Sequence, residues 1–177
     1  MLLPAAPRPP QNCGPMHKSM EFRTWGKKKS RLKSKKAEET AEGFLTEAVI
    51  DTNVIVSGLL RADSAPGEII DLIFGNIIIP VFDDRILYED RDVLARPKFA
   101  FPASVIEDLL SAVTVIGHQV VAKRTHVRLP DEKDRCFYEC ALSAGSKTLI
   151  TGNKKHFPEH KCPEIVVFSP SEFLKTL

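Results

Sequence analysis

The chain has 177 residues, of which 43% are hydrophobic and 27% are charged, a composition typical of a folded globular domain and not of a disordered or fibrous protein. No apolar run approaches the ~20 residues that cross a bilayer, so we expect no membrane-spanning helix and no membrane partner. The N-terminal sequence lacks the basic start and the unbroken apolar stretch of a secretory signal, and the four cysteines form no CxxC pair. Both features favour a reduced, cytoplasmic protein.

The net charge of +2 is unevenly distributed along the chain. Residues 1–45 carry ten Lys and Arg against four Asp and Glu, whereas residues 46–177 carry fifteen against nineteen, so the two parts have net charges of +6 and −4. We therefore predict a disordered basic tail over residues 1–45 and one folded domain over residues 46–177. The basic block from Lys27 to Lys36 is interpreted either as an arm that binds nucleic acid through counterion release or as a solvated extension with no selected role.

Segments of strand-like and helix-like pattern alternate after residue 45. Short apolar or β-branched runs predict strands at 48–50 with an extension toward Val56, and at 77–82, 120–121, 147–151 and 164–168. Apolar residues at helical spacing, with capping residues and prolines, predict helices at 64–74, 84–95, 102–114, 131–144 and 170–177. Continuous apolar strands between helices indicate an α/β domain, a three-layer sandwich with a central, mainly parallel sheet.

Acidic and amide residues gather at the predicted ends of these strands. Asp51 follows the first strand and Asn153 follows the strand at 147–151, while Asp131 and Asp134 open the helix that precedes the latter. Because ligands of open parallel sheets bind beyond the carboxyl ends of the strands, we expect these residues at one edge of the sheet. Carboxylates held together repel each other unless a cation or a proton intervenes, and such oxygen-rich sites favour Mg²⁺ or Mn²⁺.

Most of these residues also have a purely structural interpretation. Asp131 can act as a helix N-cap and Asp134 can be favoured by the helix dipole, roles worth about 1 kcal/mol each. Asn153 can close a turn after Gly152. Asp51 is harder to explain in this way, because an acid at the end of a buried strand contributes nothing to packing.

Four segments, in order along the chain, resemble the motifs of PIN domains, which are metal-dependent ribonucleases. The first is Val49–Val54 (VIDTNV), and the second, which bears the family's glutamate, runs from Ile86 to Phe99. The third is Pro130–Phe137 (PDEKDRCF), and the fourth is Leu149–Asn153 (LITGN). The set most resembles the bacterial branch described as toxin components of toxin–antitoxin modules, and the resemblance covers about residues 48–172.

The resemblance implies hydrolysis of RNA phosphodiester bonds with one or two Mg²⁺ or Mn²⁺ ions, an antitoxin protein as a partner, and a homodimer. The residues that it assigns as metal ligands are Asp51, Glu89 and Asp134, which are also the catalytic residues, with Asp131 as a further candidate ligand. The residues expected to orient these ligands are Thr52, Asn53, Thr151 and Asn153. The residues expected either to contact RNA phosphates at the rim or to form only a solvated loop are Lys154, Lys155 and His156.

Two positions complicate the comparison with the family. Many relatives place a fourth acid where this chain has Asn153, which adds no charge. On the predicted helix at 84–95, Glu89 matches the family's glutamate but lies at the edge of the apolar stripe, whereas Asp90 lies near its centre. An acid at that centre either reaches the site or costs stability, so Asp90 is the rival of Glu89.

Two other interpretations of the sequence remain open. Cys136, Cys140, His156 and His160 offer the donors of a zinc site, although Cys140 shares its helical stripe with apolar residues. The second interpretation is a non-catalytic module of the same fold that binds RNA or a protein partner, which the missing fourth acid and the basic tail would both suit.

Overall fold

The computed structural model describes residues 45–177, so the predicted basic tail, with its block from Lys27 to Lys36, lies outside the described residues except for Leu45. The strands in the described part are β1 (Thr46–Ile50), β2 (Ile78–Phe82), β3 (His118–Gln119), β4 (Thr148–Ile150) and β5 (Val166–Phe168). The α-helices there are α1 (Thr52–Leu60), α2 (Ala65–Phe74), α3 (Asp84–Leu94), α4 (Ala103–Ile116), α5 (Arg135–Ser143) and α6 (Pro170–Phe173). Two 3-10 turns cover Glu132–Asp134 and Lys154–His156.

The five strands form one sheet in the order β3-β2-β1-β4-β5, and all neighbouring strands are parallel. Val49 of the central strand β1 lies beside Val81 of β2 on one side and beside Leu149 of β4 on the other. Because all the strands are parallel, their carboxyl ends lie along one edge. The predicted α/β sandwich with a parallel sheet flanked by helices is confirmed.

The order of the strands places a topological switch point between β1 and β4. From β1 the chain proceeds to β2 and β3 on one side, and it then returns to β4 and β5 on the other side. Crevices at such points, outside the carboxyl ends of the strands, are where open α/β sheets bind ligands. Asp51 follows β1 and Thr151 follows β4, and the backbone N–H of Asp51 donates to the carbonyl of Ile150 at 2.9 Å.

The strongest deviation from the predicted elements is helix α1. The sequence predicted that the first strand extends toward Val56, but the chain turns at Asp51 and is helical from Thr52. The carboxylate of Asp51 caps this helix by accepting from the backbone N–H of Asn53 at 3.0 Å. β-Branched residues favour strands only weakly, and here burial of Val54 and Ile55 against the core outweighs that preference.

Three further predictions of local structure need correction. The strand predicted at 120–121 lies at His118–Gln119, and Val121 is exposed. The helix predicted over 131–144 begins as the 3-10 turn Glu132–Asp134 and becomes α-helical only at Arg135. The C-terminal helix ends at Phe173 and does not reach residue 177.

The helices predicted at 64–74 and 84–95 are present, and each begins after a residue whose side chain caps it. Ser64 accepts from the N–H of Gly67 at 3.3 Å, and Asp83 accepts from the N–H groups of Arg85 and Ile86 at 3.0 and 3.1 Å. These bonds satisfy backbone donors that a helix start leaves without intrahelical partners. In residues 45–177 no helix combines the length and the apolar character that a membrane crossing requires.

Candidate functional site

Asp51 ties together the two loops at the switch point. Its side chain is buried, and one carboxylate oxygen accepts from the backbone N–H of Asn53 at 3.0 Å. The other oxygen accepts from Asn53 Nδ2 and from the hydroxyl of Thr151, both at 2.7 Å. Asn53 Oδ1 in turn accepts from the N–H of Gly152 at 2.8 Å, so close that a Cβ at Gly152 would lie 2.9 Å from this oxygen. Asn53 and Thr151 thus hold the carboxylate of Asp51 between the ends of β1 and β4.

The environment of Asp51 on balance disfavours the ionised form of its carboxyl group. Burial raises the pKa of Asp51 above its usual range, and the negative charge of Asp134 acts in the same direction. The hydrogen bonds from Thr151 and Asn53 counteract this rise without cancelling it. The fold therefore keeps a carboxyl group at this edge at a cost in stability.

Glu89 lies half-buried on α3 and shares this region with Asp51 and Asp134. Burial raises the pKa of Glu89, and the negative charges of Asp51 and Asp134 raise it further. The nearest donor to its carboxylate is the thiol of Cys136, with Sγ 3.8 Å from Oε2. Three carboxylates from widely separated positions in the chain therefore act on each other electrostatically.

The neighbouring acid, Asp90, is buried more deeply and has a different partner. Its side chain is 2% exposed, and its Oδ1 accepts from the hydroxyl of Thr52 at 2.6 Å. Burial raises the pKa of Asp90 to about 7, and the charges of Glu89 and Asp51 add to this effect. Thr52, which was expected to orient the ligands, thus directs its hydroxyl to Asp90 and not to Asp51.

Asp134, at the N-terminal end of α5, is part of a chain of side-chain hydrogen bonds. His156 Nδ1 lies 2.5 Å from Asp134 Oδ2, and His156 Nε2 lies 2.6 Å from Asn153 Nδ2. Because an amide nitrogen only donates, this network assigns Nε2 as the acceptor and places the imidazole proton on Nδ1, from which it is donated to Asp134. Burial raises the pKa of Asp134, whereas the bond from His156 lowers it.

Asp131 and Asp134 form a compact group with the same imidazole. Potential ligand atoms of Asp131, Asp134 and His156 all lie within 4.8 Å of one another. Asp131 also accepts from the N–H of Lys133 at 3.0 Å, so it caps the 3-10 turn while it belongs to this group. Within residues 45–177, Asp51 and Glu89 interact with Asp134 through charge but are not part of this closer group.

The structure separates the three residues that were expected at an RNA-contacting rim. Lys154 Nζ is bound to the carboxylate of Glu172 at 2.9 and 3.1 Å, and Lys155 is exposed. His156 turns toward Asp134 and not outward. Sequence reasoning did not foresee that contact. The spacing of three residues between Asn153 and His156, one 3-10 turn, is a signal only for the contact between those two residues.

The four candidate zinc ligands do not assemble. Cys140 is fully buried in the core, and Cys136 Sγ is directed at the carbonyl of Lys133 at 3.3 Å. Burial raises the pKa of both thiols to about 12, so neither is a thiolate at neutral pH. Among the residues that the structure describes, no metal-binding group combines these cysteines with His156 or His160.

Comparisons with known proteins identify the family. The family model described as "PIN domain" matches residues 47–155, a range that contains Asp51, Glu89, Asp131 and Asp134. An uncharacterized protein of Methanocaldococcus jannaschii is 29% identical over 119 residues, which cover 66% of this chain and 76% of that protein. No solved structure matches the chain significantly. PIN domains are generally nucleases and typically use a divalent metal. With the matched model covering more than half of its length, this chain belongs to the PIN domain family.

Proposed function

We propose that the protein is a divalent-metal-dependent endoribonuclease that hydrolyses phosphodiester bonds in RNA. The observation that carries this proposal is the convergence of Asp51, Glu89 and Asp134 at the carboxyl edge of the sheet. All three carboxyl groups have raised pKa values because of burial, and the charges of the other two raise that of Glu89 further. Such an arrangement costs stability, which indicates a role other than folding.

The donor set fits a hard divalent cation. Asp51, Glu89 and Asp134, with Asp131 beside Asp134, offer carboxylate oxygens, the ligands that Mg²⁺ and Mn²⁺ prefer. A cation among them would also offset the repulsion that raises their pKa values. When bound, such an ion lowers the pKa of a coordinated water and offsets charge on the phosphate oxygens.

The side chains around these carboxylates keep them in position for that role. Asn53 and Thr151 donate to Asp51 and fix its orientation. His156 donates to Asp134 and is itself oriented by Asn153. In metal sites, partners of this kind set the geometry of the ligands. Among the described residues Glu89 has only the weak thiol of Cys136 as a donor, so its side chain retains the most freedom to adjust to a substrate.

The test is RNA cleavage by the full-length protein with Mg²⁺, with Mn²⁺, and with an excess of EDTA. We expect cleavage of a labelled single-stranded RNA with either ion, none in EDTA, and recovery when Mg²⁺ is restored. Asp134→Asn should abolish cleavage, whereas Asp92→Asn, an exposed acid paired with Arg96 on α3, should not. Cleavage that persists in EDTA contradicts metal dependence. Absence of cleavage with every ion supports the alternative of a non-catalytic RNA-binding or partner-binding module.

The toxin role is a further part of the proposal and rests on the resemblance of the four motifs alone. If the protein is the toxin of a toxin–antitoxin module, its induced expression should arrest growth of a bacterial host, and Asp134→Asn should relieve the arrest. Unimpaired growth with active wild-type protein present would contradict the toxin role and leave the nuclease proposal untouched. An antitoxin and a second copy of the chain are the protein partners that the same resemblance implies.

A further inference from the structure

The connection between β3 and the acidic cluster is a basic segment that packs on the core along its whole length. We call this segment, residues 120–130, the basic ribbon. Its side chains that pack inward against the core are Val120, Ala122, Val127 and Leu129. Its exposed side chains include Lys123, Arg124, His126 and Arg128. From residue 124 onward, exposed and inward side chains alternate, as in an extended chain.

The positive charge of the basic ribbon is not compensated by nearby acids. The sequence contains no Asp or Glu between Asp108 and Asp131. Within residues 45–177, Lys123, Arg124 and Arg128 form no ion pair, whereas most of the arginines on the helices are paired with acids. The ribbon is therefore a local excess of positive charge on a domain whose net charge over residues 46–177 is −4.

Helix α5 determines where the basic ribbon runs. The N–H of Lys123 donates to the hydroxyl of Ser143, the last residue of α5, at 3.0 Å. The N–H of Thr125 donates to the carboxylate of Glu139, in the middle of α5, at 2.7 Å. The ribbon thus follows α5 backwards, from its C-terminal end to Asp131 and the acidic cluster. The nine residues of α5 span ~14 Å, so the cations line an approach of about that length.

Glu139, which holds the middle of the basic ribbon, is itself held in place by an ion pair with Arg85. Glu139 is fully buried and accepts from Arg85 Nη1 at 2.5 Å, while Arg85 also binds the N-cap carboxylate of Asp83 at 2.6 Å. Nearer the acidic cluster, Lys161 Nζ donates to the carbonyl of Arg128 at 2.9 Å. A backbone fixed in this way loses little conformational entropy when its exposed side chains bind a ligand.

We propose that the basic ribbon binds the phosphate backbone of single-stranded RNA and leads the strand to the carboxylates, a proposal that rests on the ribonuclease function above. Alternate side chains of an extended chain are ~6.6 Å apart, comparable to the spacing of phosphates along an extended single strand. Arg124 and Arg128 lie two such steps apart, with His126 between them. An acidic centre repels RNA, so a flanking track of cations supplies the attraction that the centre itself lacks.

The test compares two charge-matched double variants of the full-length protein. The ribbon variant is Arg124→Gln with Arg128→Gln. The control variant is Arg61→Gln with Lys147→Gln, two exposed cations that follow α1 and precede β4, away from the carboxyl edge of the sheet. The dissociation constant for a labelled single-stranded RNA is measured by fluorescence anisotropy in EDTA over a series of NaCl concentrations. The basic tail is common to all three proteins, so the differences between them report only the substituted residues.

We expect the control variant to match the wild type, and the ribbon variant to bind about tenfold more weakly at low salt. Each phosphate contact on a single strand contributes about 0.7 to the slope of log Kd against log salt, so the ribbon variant should lose about 1.4 from that slope. Equal affinities and slopes in the ribbon variant and the wild type would overturn the proposal. So would an equal weakening of both variants, because that result would report total charge and not the ribbon.

Two further measurements distinguish a loss of folding, and binding of acidic chains in general, from the proposed loss of RNA binding. If the melting transition shows that the ribbon variant is unfolded, Lys123→Gln replaces it, with an expected slope change of about 0.7. If a polyglutamate peptide binds as tightly as the RNA and loses affinity in the same variant, the ribbon is a site for acidic chains in general and the assignment to RNA is overturned. Binding in EDTA requires no hydrolysis, so failure of the nuclease proposal and failure of the ribbon proposal give different results.

Discussion

At the scale of single residues, the carboxylates of the candidate site differ in how firmly they are held. Asp51 accepts three hydrogen bonds from Asn53 and Thr151, and Asp134 accepts one from His156. In the part of the chain that the structure describes, Glu89 accepts only from the thiol of Cys136, at 3.8 Å, and a thiol is a weak donor. The positions of Asp51 and Asp134 are thus set by the protein before any ion binds, whereas that of Glu89 is not.

Glu89 and its neighbour Asp90 can be distinguished by matched substitutions. Glu89→Gln should lower the cleavage rate by roughly 100-fold or more, because it removes a charged ligand from the candidate site. Asp90→Asn should have a much smaller effect, since Asp90 is buried and its bond from Thr52 can be kept by the amide oxygen. The measurement is kcat at saturating RNA and matched Mg²⁺. A nearly inactive Asp90→Asn beside a nearly normal Glu89→Gln would assign the role to Asp90.

The hydrogen bond from His156 predicts an effect on metal affinity. His156→Ala frees the carboxylate of Asp134 and the side chain of Asn153, and we expect Mn²⁺ to bind about 10–100-fold more weakly. His160→Ala, which removes an exposed imidazole four residues away, should leave the affinity unchanged. Calorimetric titration with Mn²⁺ in the absence of RNA measures both. Equal affinities in the two variants would show that His156 has no influence on the ion.

At the scale of elements, the sequence predicted the sheet better than the contacts around it. Asp51 and Asn153 follow apolar strands, and the rule that parallel strands end at a common edge was enough to bring their loops together. Helix α1 was not predicted, because its first turns are rich in β-branched residues that favour strands locally and are helical here through burial. The contact between Arg85 and Glu139 joins positions 54 residues apart, and no local pattern reveals it.

The buried Glu139 predicts a pH-dependent contribution to stability. Burial alone would raise its pKa, but the Thr125 N–H and the Arg85 guanidinium outweigh this and hold the pKa below its usual value. A lowered pKa means that the contribution is fully present above the unfolded value of about 4.3 and is lost as the pH falls through the folded value. Glu139→Gln should therefore cost about 2–4 kcal/mol at pH 7.

Urea unfolding at pH 7 and under acid conditions measures this difference. The gap in free energy of unfolding between wild type and Glu139→Gln should shrink as the pH falls below about 4. Glu107→Gln is the control, since Glu107 forms an exposed ion pair with Arg91 at 3.4 Å and should change stability by less than about 1 kcal/mol. A gap that is absent at neutral pH, or that is independent of pH, would contradict the proposed balance at Glu139.

At the scale of the whole molecule, charge is unevenly divided between residues 1–45 and the rest of the chain. The part from residue 46 onward has a net charge of −4 and contains the five strands that the structure describes, whereas residues 1–45 carry +6. β1, the central strand of the described sheet, begins at Thr46, directly after the basic segment. We therefore expect the segment to be dispensable for folding of the sheet and to contribute through its charge.

Removal of the N-terminal segment tests this division. A chain that starts at Leu45 should unfold cooperatively, with a melting midpoint close to that of the full-length protein, and should cleave RNA with an unchanged kcat. If the segment binds RNA, its removal should raise KM and flatten the salt dependence. Loss of the melting transition would show instead that the segment packs on the domain.

The central claim is that Asp51, besides capping α1, serves a metal-dependent reaction. The most direct measurement is the RNA cleavage rate of Asp51→Asn relative to wild type at matched Mg²⁺, on protein whose melting transition has been recorded. The substitution removes a buried charge that repels its neighbours but also loses acceptors for Asn53 and Thr151, so stability should change by only about 1 kcal/mol. We predict a folded protein without detectable cleavage. Turnover comparable to that of the wild type would contradict the account.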